Sequence, residues 1–335
     1  MKRIFTLLFA VLTATTIMAQ MHGPMKFVGA SNMTVSTMSN DNPSDTILFA
    51  MNGMESGNIT LPAMKGMQTI PSFTISGAKF TLGENHVVTF ADQTFSTKVT
   101  VNGAEKKITG TSLSGTYNMA DNSLMLTVVF QYGKMPFPMT YTVKGYYVKA
   151  VSNPITVTVG GQFTYNNDNV TYELRRYKDG GTDKLDVTVP SYSLTNTVMG
   201  DLTLGTYTVK GLVYDEAQGG YYRDYKNDGL KFHFTAVQNG KTTMDKDYEF
   251  AAGKANNILV KYEGNNVSSI VNTFQMGAMP FGIVSVFSAP ATSIEGVNAN
   301  ATAPADGRTY NLAGQRVDNN YKGIVIVNGK KYLRK

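Results

Sequence analysis

The sequence predicts an all-β protein made of two similar halves, each a sandwich or barrel of short antiparallel strands. Three observations carry this expectation. Apolar and polar residues alternate from about residue 26 to residue 288, the period at which successive side chains change faces along a strand. Turn dipeptides such as Asn102-Gly103, Gly219-Gly220, Asp228-Gly229 and Asn239-Gly240 separate the alternating runs and suit tight hairpins. Short motifs also recur once, about one domain apart.

At the N-terminus, Lys2-Arg3 precedes an apolar run from Ile4 to Met18, and Ala19-Gln20 offers a small-residue cleavage site. The run is shorter than the ~20 residues that span a bilayer, so residues 1–20 are expected to be a cleaved signal peptide. In Ser123–Tyr132, Leu124, Leu126, Val128, Phe130 and Tyr132 fall on one face, and Met125, Thr127, Val129 and Gln131 on the other. Tyr207, Val209 and Val213 oppose Thr206, Thr208 and Lys210, and Phe232 and Phe234 oppose Lys231, His233 and Thr235. No stretch after residue 20 holds a helical apolar pattern over three turns, so no helix longer than about three turns is expected. Gly (32), Tyr (19) and Phe (17) are plentiful and charged residues make up only 16%, a balance that favours strands and turns.

Met135-Pro136-Phe137 returns as Met279-Pro280-Phe281, and the pattern Phe73–Gly77 returns as Tyr207–Gly211. The offsets, 144 and 134, place a boundary near Ser152-Asn153-Pro154. Thr140–Gly145 is identical to Thr206–Gly211 at an offset of 66, but a Thr-Tyr-Thr-Val strand with a Lys-Gly turn is generic. The expected organisation is domain one over 21–151, domain two over 152–289, a Pro/Ala/Asn-rich linker over 290–308 and a tail over 309–335. The tail alternates over Thr309–Val317 and Gly323–Leu333, and Asn328-Gly329 predicts a small hairpin.

Each half, a run of strands ending at Met-Pro-Phe, resembles the calycin-like domains of exported Bacteroidetes proteins. The resemblance covers residues 26–149 and 155–288. It implies two tandem lipocalin-like antiparallel barrels of about eight strands each. The tail, Tyr310-Asn311-Leu312-Ala313-Gly314-Gln315-Arg316-Val317 and then Lys322–Lys331, is similar to the Por, or type IX, sorting domain, though shorter than a full one. That likeness implies a cell-surface or secretion-machinery partner for residues 309–335, and a periplasmic, outer-membrane surface or extracellular address.

The chemistry-bearing residues point away from catalysis. The net charge of +6 divides as +2 over residues 1–20, +2 over 21–150, −2 over 151–290 and +4 over 291–335, so the body is neutral. A nucleic-acid partner, which needs concentrated Lys and Arg, is excluded. With no Cys, a lipid-anchored lipoprotein, disulfides, metal-thiolate sites and a cysteine nucleophile are excluded too. His22, His86 and His233 are far apart in the chain, too few for a zinc site without carboxylates. No G-x-S-x-G, P-loop, H-E-x-x-H or G-x-G-x-x-G occurs. Asp224–Gly229 reads as a turn, because Lys226 stands where a calcium loop needs oxygen. The expectation is therefore no catalytic residue, no metal, no cofactor and no transmembrane span in the mature chain.

Twelve of the 18 methionines lie in residues 21–150. Met51-x-x-Met54 and Met64-x-x-Met67 invite a Cu(I) reading, but Met is more often adaptable apolar filler. A calycin barrel can hold a small apolar or amphipathic ligand. Its expected lining is Leu124, Leu126, Val128, Phe130, Tyr132, Tyr207, Val209, Phe232 and Phe234. The cluster Tyr221, Tyr222 and Tyr225 is expected as a surface contact. The alternative is a structural or adhesion module with barrels filled by side chains.

Overall fold

Alternation fixes strands because the buried face of each must find a partner, and every regular element among the described residues is a strand. The computed structural model describes residues 23–65, 68–83, 86–277, 279–288, 309–311, 316–318, 321–327 and 330–334. The expected leader and linker, with His22, Met67 and the Asn328-Gly329 turn, lie outside the described residues.

The first barrel begins with β1 (Met25–Val35), β2 (Met38–Met51) and β3 (Ser56–Leu61), followed by the small hairpin β4 (Met64–Lys65) and β5 (Thr69–Ile70). It continues through β6 (Phe73–Lys79), β7 (Thr81–Leu82), β8 (Val87–Val101), β9 (Ala104–Asn118) and β10 (Ser123–Tyr132) into β11 (Met139–Val159). From β11, one side of the wall runs β1-β2-β3-β6 and the other β10-β9-β8. Little backbone closes the seam between β6 and β8. β7 pairs with β8 at two residues, and the Gln93 side chain accepts from the Lys79 amide and donates to its carbonyl, both at 2.7 Å. One side-chain amide thus imitates a ladder rung.

The second barrel uses the far half of β11, then β12 (Phe163–Asp179), β13 (Thr182–Val189), β14 (Tyr192–Thr197), β15 (Gly200–Leu204), β16 (Tyr207–Asp215) and β17 (Gly220–Asp224). β18 (Lys231–Gln238), β19 (Lys241–Glu249), β20 (Asn257–Glu263), β21 (Asn266–Gln275) and β22 (Gly282–Ser288) complete it. β11-β12-β13-β16-β17-β20-β21-β22 form a closed, eight-stranded antiparallel barrel. β14-β15-β18-β19 form a separate sheet. Both excursions into that sheet leave the barrel at one end, because Val189 pairs with Tyr207 and Asp224 with Asn257. The β16–β17 turn, where Asp215 pairs with Gly220, marks the other end.

β11 serves both walls, and Val148 pairs with Lys26 on one side and Arg175 on the other. Pro154, which has no N–H to give a ladder, sits where the β11–β12 register shifts between Asn153 and Ile155. Two apolar cores result, one spanning Met25 to Val143 and one spanning Ile155 to Phe287. Five rings sit at the centre of the first: Phe27 meets Tyr117 at 4.9 Å, and Phe49, Phe80 and Phe90 lie within 5.8 Å of one another.

The repeated motifs occupy equivalent places. Gly77 and Gly211, in the fourth strand of each barrel, take φ of 68° and 70°, where glycine alone is at ease. Each donates its N–H to a third-strand side chain, Asn58 at 3.1 Å and Asp186 at 2.8 Å. At the end of the strand that precedes each Met-Pro-Phe, Gln131 and Gln275 donate to the carbonyls of Met135 and Met279, both at 2.5 Å. The left-handed Gly211 also corrects one expectation. It shifts the alternation, so Leu212 is buried and Val213 is 42% exposed.

The described residues of the tail form a unit of their own. Its strands β23 (Thr309–Asn311), β24 (Gly323–Val327) and β25 (Lys330–Arg334) form a three-stranded sheet. The predicted hairpin is thus extended by a third strand, which pairs Thr309 with Val327, and Val325 is fully buried.

Candidate functional site

The end of the second barrel opposite the added sheet is rimmed by its tight turns, and the cavity of about 570 Å³ lies there. Its floor is apolar, from Leu174 on β12 and Leu185 on β13, both buried. Tyr214, Tyr221 and Tyr262 stand above the floor, and Met119, Asn122, Tyr147 and Lys149 reach it from the first barrel. The β9–β10 turn is pinned in place by Asp121, which accepts from the Ser123 amide and hydroxyl. The Asn122 carbonyl accepts from the Tyr147 amide at 2.9 Å.

The tyrosines form a chain of edge-on contacts, Tyr214 to Tyr221 at 5.7 Å and Tyr221 to Tyr262 at 6.0 Å. The Arg176 guanidinium lies 5.5 Å from the Tyr221 ring and 3.2 Å from the Asp183 carboxylate. Lys149 donates to the Asn265 carbonyl at 2.9 Å. Burial pushes the Tyr262 phenol up to about 12, with Tyr221 beside it adding to the effect. Burial likewise raises Tyr221 and Tyr147. These phenols are therefore neutral hydrogen-bonding groups at physiological pH, set beside two cations. The arrangement can stack a flat or apolar group and pair an acidic one.

The residues expected to line a barrel lumen are all buried: Leu124, Leu126, Val128, Phe130 and Tyr132 in the first core, and Tyr207, Val209, Phe232 and Phe234 in the second. Met125 faces outward at 49% exposure. Phe232 and Phe234 correct the expectation in one respect, since they lie on β18 in the added sheet and not in the barrel wall. Phe232 packs on Tyr207 at 6.1 Å and Phe250 at 5.0 Å, so the added sheet stoppers that end.

The expected surface cluster is also corrected. Tyr225 is 1% exposed and Tyr221 6%. β17 is a barrel strand, so alternate residues turn inward. The Tyr225 hydroxyl donates to Asn272 Oδ1 at 2.8 Å, and Asn272 Nδ2 donates to the Tyr207 hydroxyl at 2.6 Å. Tyr222 is half-buried. The hydroxyls of Tyr172, Tyr192 and Ser285 in the same interior have no hydrogen-bond partner.

His233 sits on the exposed face of β18, clasped by Asp247 and Asp245, both at 2.9 Å. The two carboxylates hold opposite ring nitrogens, so the three groups do not converge on a shared metal position. Among the described residues no group of three or more His, Asp or Glu could hold a metal ion, and no helix is long and apolar enough to cross a membrane.

Arg176, Tyr147, Tyr262 and Lys149 were not legible as site residues. They come from β12, β11 and β20, and only barrel closure brings them together.

A family profile for the calycin-like β-barrel domain matches residues 25–146 and 153–290. No curated protein matches the chain. A crystal structure of a "putative outer membrane protein" from Bacteroides fragilis aligns at 15% identity and a TM-score of 0.25, covering 80% of this chain and 96% of that one.

Proposed function

The chain belongs to the calycin-like β-barrel domain family, and from that premise we propose that it is an exported, non-catalytic protein. Its second barrel holds a small amphipathic molecule with an acidic group. The single observation that carries this reading is the cavity of about 570 Å³ with an apolar floor, a tyrosine wall and two cations. That volume lies within the range of ~300–1,000 Å³ typical of small-molecule sites. We place the ligand at the mouth and not in the barrel interior, where Tyr172, Phe274 and Phe287 are buried in the second core. The nine residues expected as lining are accordingly proposed as core packing, five in the first barrel and four in the second. Export rests on the leader-like residues 1–20, and the tail over 309–335 is proposed to engage a secretion or cell-surface partner. The domain limits proposed for the two barrels are 21–151 and 152–289.

The test is titration of the full chain with 1-anilinonaphthalene-8-sulfonate, an apolar anion. Saturable one-to-one binding, weakened about tenfold by Arg176→Ala or Tyr221→Ala as expected when a charged hydrogen bond is lost, supports the reading. Absence of saturable binding, or binding indifferent to both substitutions, overturns it. The extensive apolar cores of both barrels favour the second reading, an adhesion module, which that negative result would leave standing.

A further inference from the structure

The first barrel holds a separate cavity of about 300 Å³, walled by Ser31, Met33, Met64 and Tyr141, with Asp41, Ala63 and Lys65 among its exposed lining residues. Inside it lies Asp45, only 7% exposed. Its carboxylate accepts from the Ser31 hydroxyl at 2.5 Å, the Tyr141 hydroxyl at 2.9 Å and Asn42 Nδ2 at 2.6 Å. All three donors are neutral. The ion pairs of the body lie elsewhere. A buried carboxylate without a counter-charge is costly, and such groups are ordinarily paired.

The repeat shows that the fold does not require this charge. In the first barrel Gly29 pairs with Asp45, and after a register shift Ser31 pairs with Asn42. In the second, Asn153 pairs with Val170, and after the same shift Ile155 pairs with Asn167. Asp45 is therefore the counterpart of Val170, and Ser31 of Ile155. Met33 pairs with Tyr141 as Val157 pairs with Ser285. Val170 and Ile155 are buried apolar residues. The same bulge closes well without a carboxylate, so the charge in the first barrel needs a reason other than folding.

We propose that this cavity binds a small organic ammonium ion, with Asp45 as its counter-charge. The carboxylate has four lone-pair positions, and three are taken, which leaves one for a donor such as an ammonium. Met33 and Met64, both buried, supply adaptable apolar walls for the carbon part, and the Tyr141 ring offers a face to a cation. A bare metal ion fits less well. Calcium takes six to eight oxygens, whereas only Asp41 and Asp45 bring carboxylates to the lining. Lys65 is the lining's one cation, on the exposed rim, where an incoming ammonium must compete with it.

The experiment uses the full chain labelled with ¹³C at the methionine methyls. n-Butylammonium chloride is the probe, and n-butanol, calcium chloride and sodium chloride are controls. Saturable shifts of the Met33 and Met64 methyls with n-butylammonium alone support the proposal. Asp45→Asn should weaken that binding at least about tenfold, as expected for losing a charged hydrogen bond. Ala63→Phe fills the rim without touching the carboxylate and should block binding in a folded protein, which decides the matter should Asp45→Asn not fold. Equal response to n-butanol, preferential response to calcium, no saturable shift, or undiminished binding in either variant overturns it.

Discussion

Arg175→Met removes one half of an ion pair at the junction of the two barrels. Arg175 Nε and Nη2 donate to Asp186 Oδ2 at 3.2 and 2.5 Å, and Nη1 donates to the Val28 carbonyl in the first barrel at 3.1 Å. The Asp186 side chain is 4% exposed and that of Arg175 22%. Without the guanidinium, Asp186 keeps the Gly211 amide at 2.8 Å and a carboxylate that water hardly reaches. Removing one partner of a buried pair costs about 3–5 kcal/mol. The partly open arginine and the retained Gly211 bond place the expected loss at the lower end, about 3 kcal/mol. With a urea slope of about 3 kcal/mol/M, as for the upper end of small domains, the unfolding midpoint falls by roughly 1 M.

The repeat supplies the control. Asn58 fills the place of Asp186 in the first barrel and serves Gly77 without a charge. Arg175→Met with Asp186→Asn should therefore recover at least half of the loss, since the amide keeps the Gly211 bond and leaves no orphaned charge. Urea unfolding by far-ultraviolet circular dichroism and tyrosine emission measures both variants, the chain having no tryptophan. A single substitution within about 0.5 kcal/mol of the parent, the scale of ordinary surface changes, would refute the reasoning. So would a double variant no more stable than the single.

Asp247, and then Asp245, hold the His233 imidazole above its ordinary value of 6.5. Its contribution to the β18–β19 hairpin is accordingly full below about 6.5 and lost as pH rises through the higher folded value. A proton resonance titration should place the midpoint above 6.5 and return it downward in Asp247→Asn; a midpoint at or below 6.5 contradicts this. Gln93→Ala removes both bonds to Lys79, so hydrogen exchange at the Lys79 amide should accelerate while global stability falls by only about 1 kcal/mol. An unchanged exchange rate there would mean the seam is held by other contacts.

The candidate site was mostly hidden in the sequence for a physical reason. Tyr221 stands in an aromatic run, but its partners Arg176, Tyr262 and Tyr147 are scattered over about 115 residues of chain. Local spacing records which face a residue takes and not which distant strand end lies beside it. Tyr225 reads as a surface residue for the same reason, since its buried hydroxyl is met by Asn272, 47 residues away. Nothing in its local sequence marks Asp45 for burial, which comes with the β1–β2 register shift beside it.

What the sequence by itself determined was the class of structure: alternation made strands, turn dipeptides made hairpins, and the motif repeats marked equivalent corners of two halves. These are local properties, set by backbone stereochemistry and by which face is apolar. The tertiary structure alone decided that β11 joins both walls, that Gly211 reverses the phase of its strand, and that the added sheet stoppers one end of the second barrel. It also decided which side chains are buried and where the cavities lie. Those outcomes depend on closing rings of strands with fixed register, so they follow from pairings between residues far apart in the chain, which no local pattern encodes.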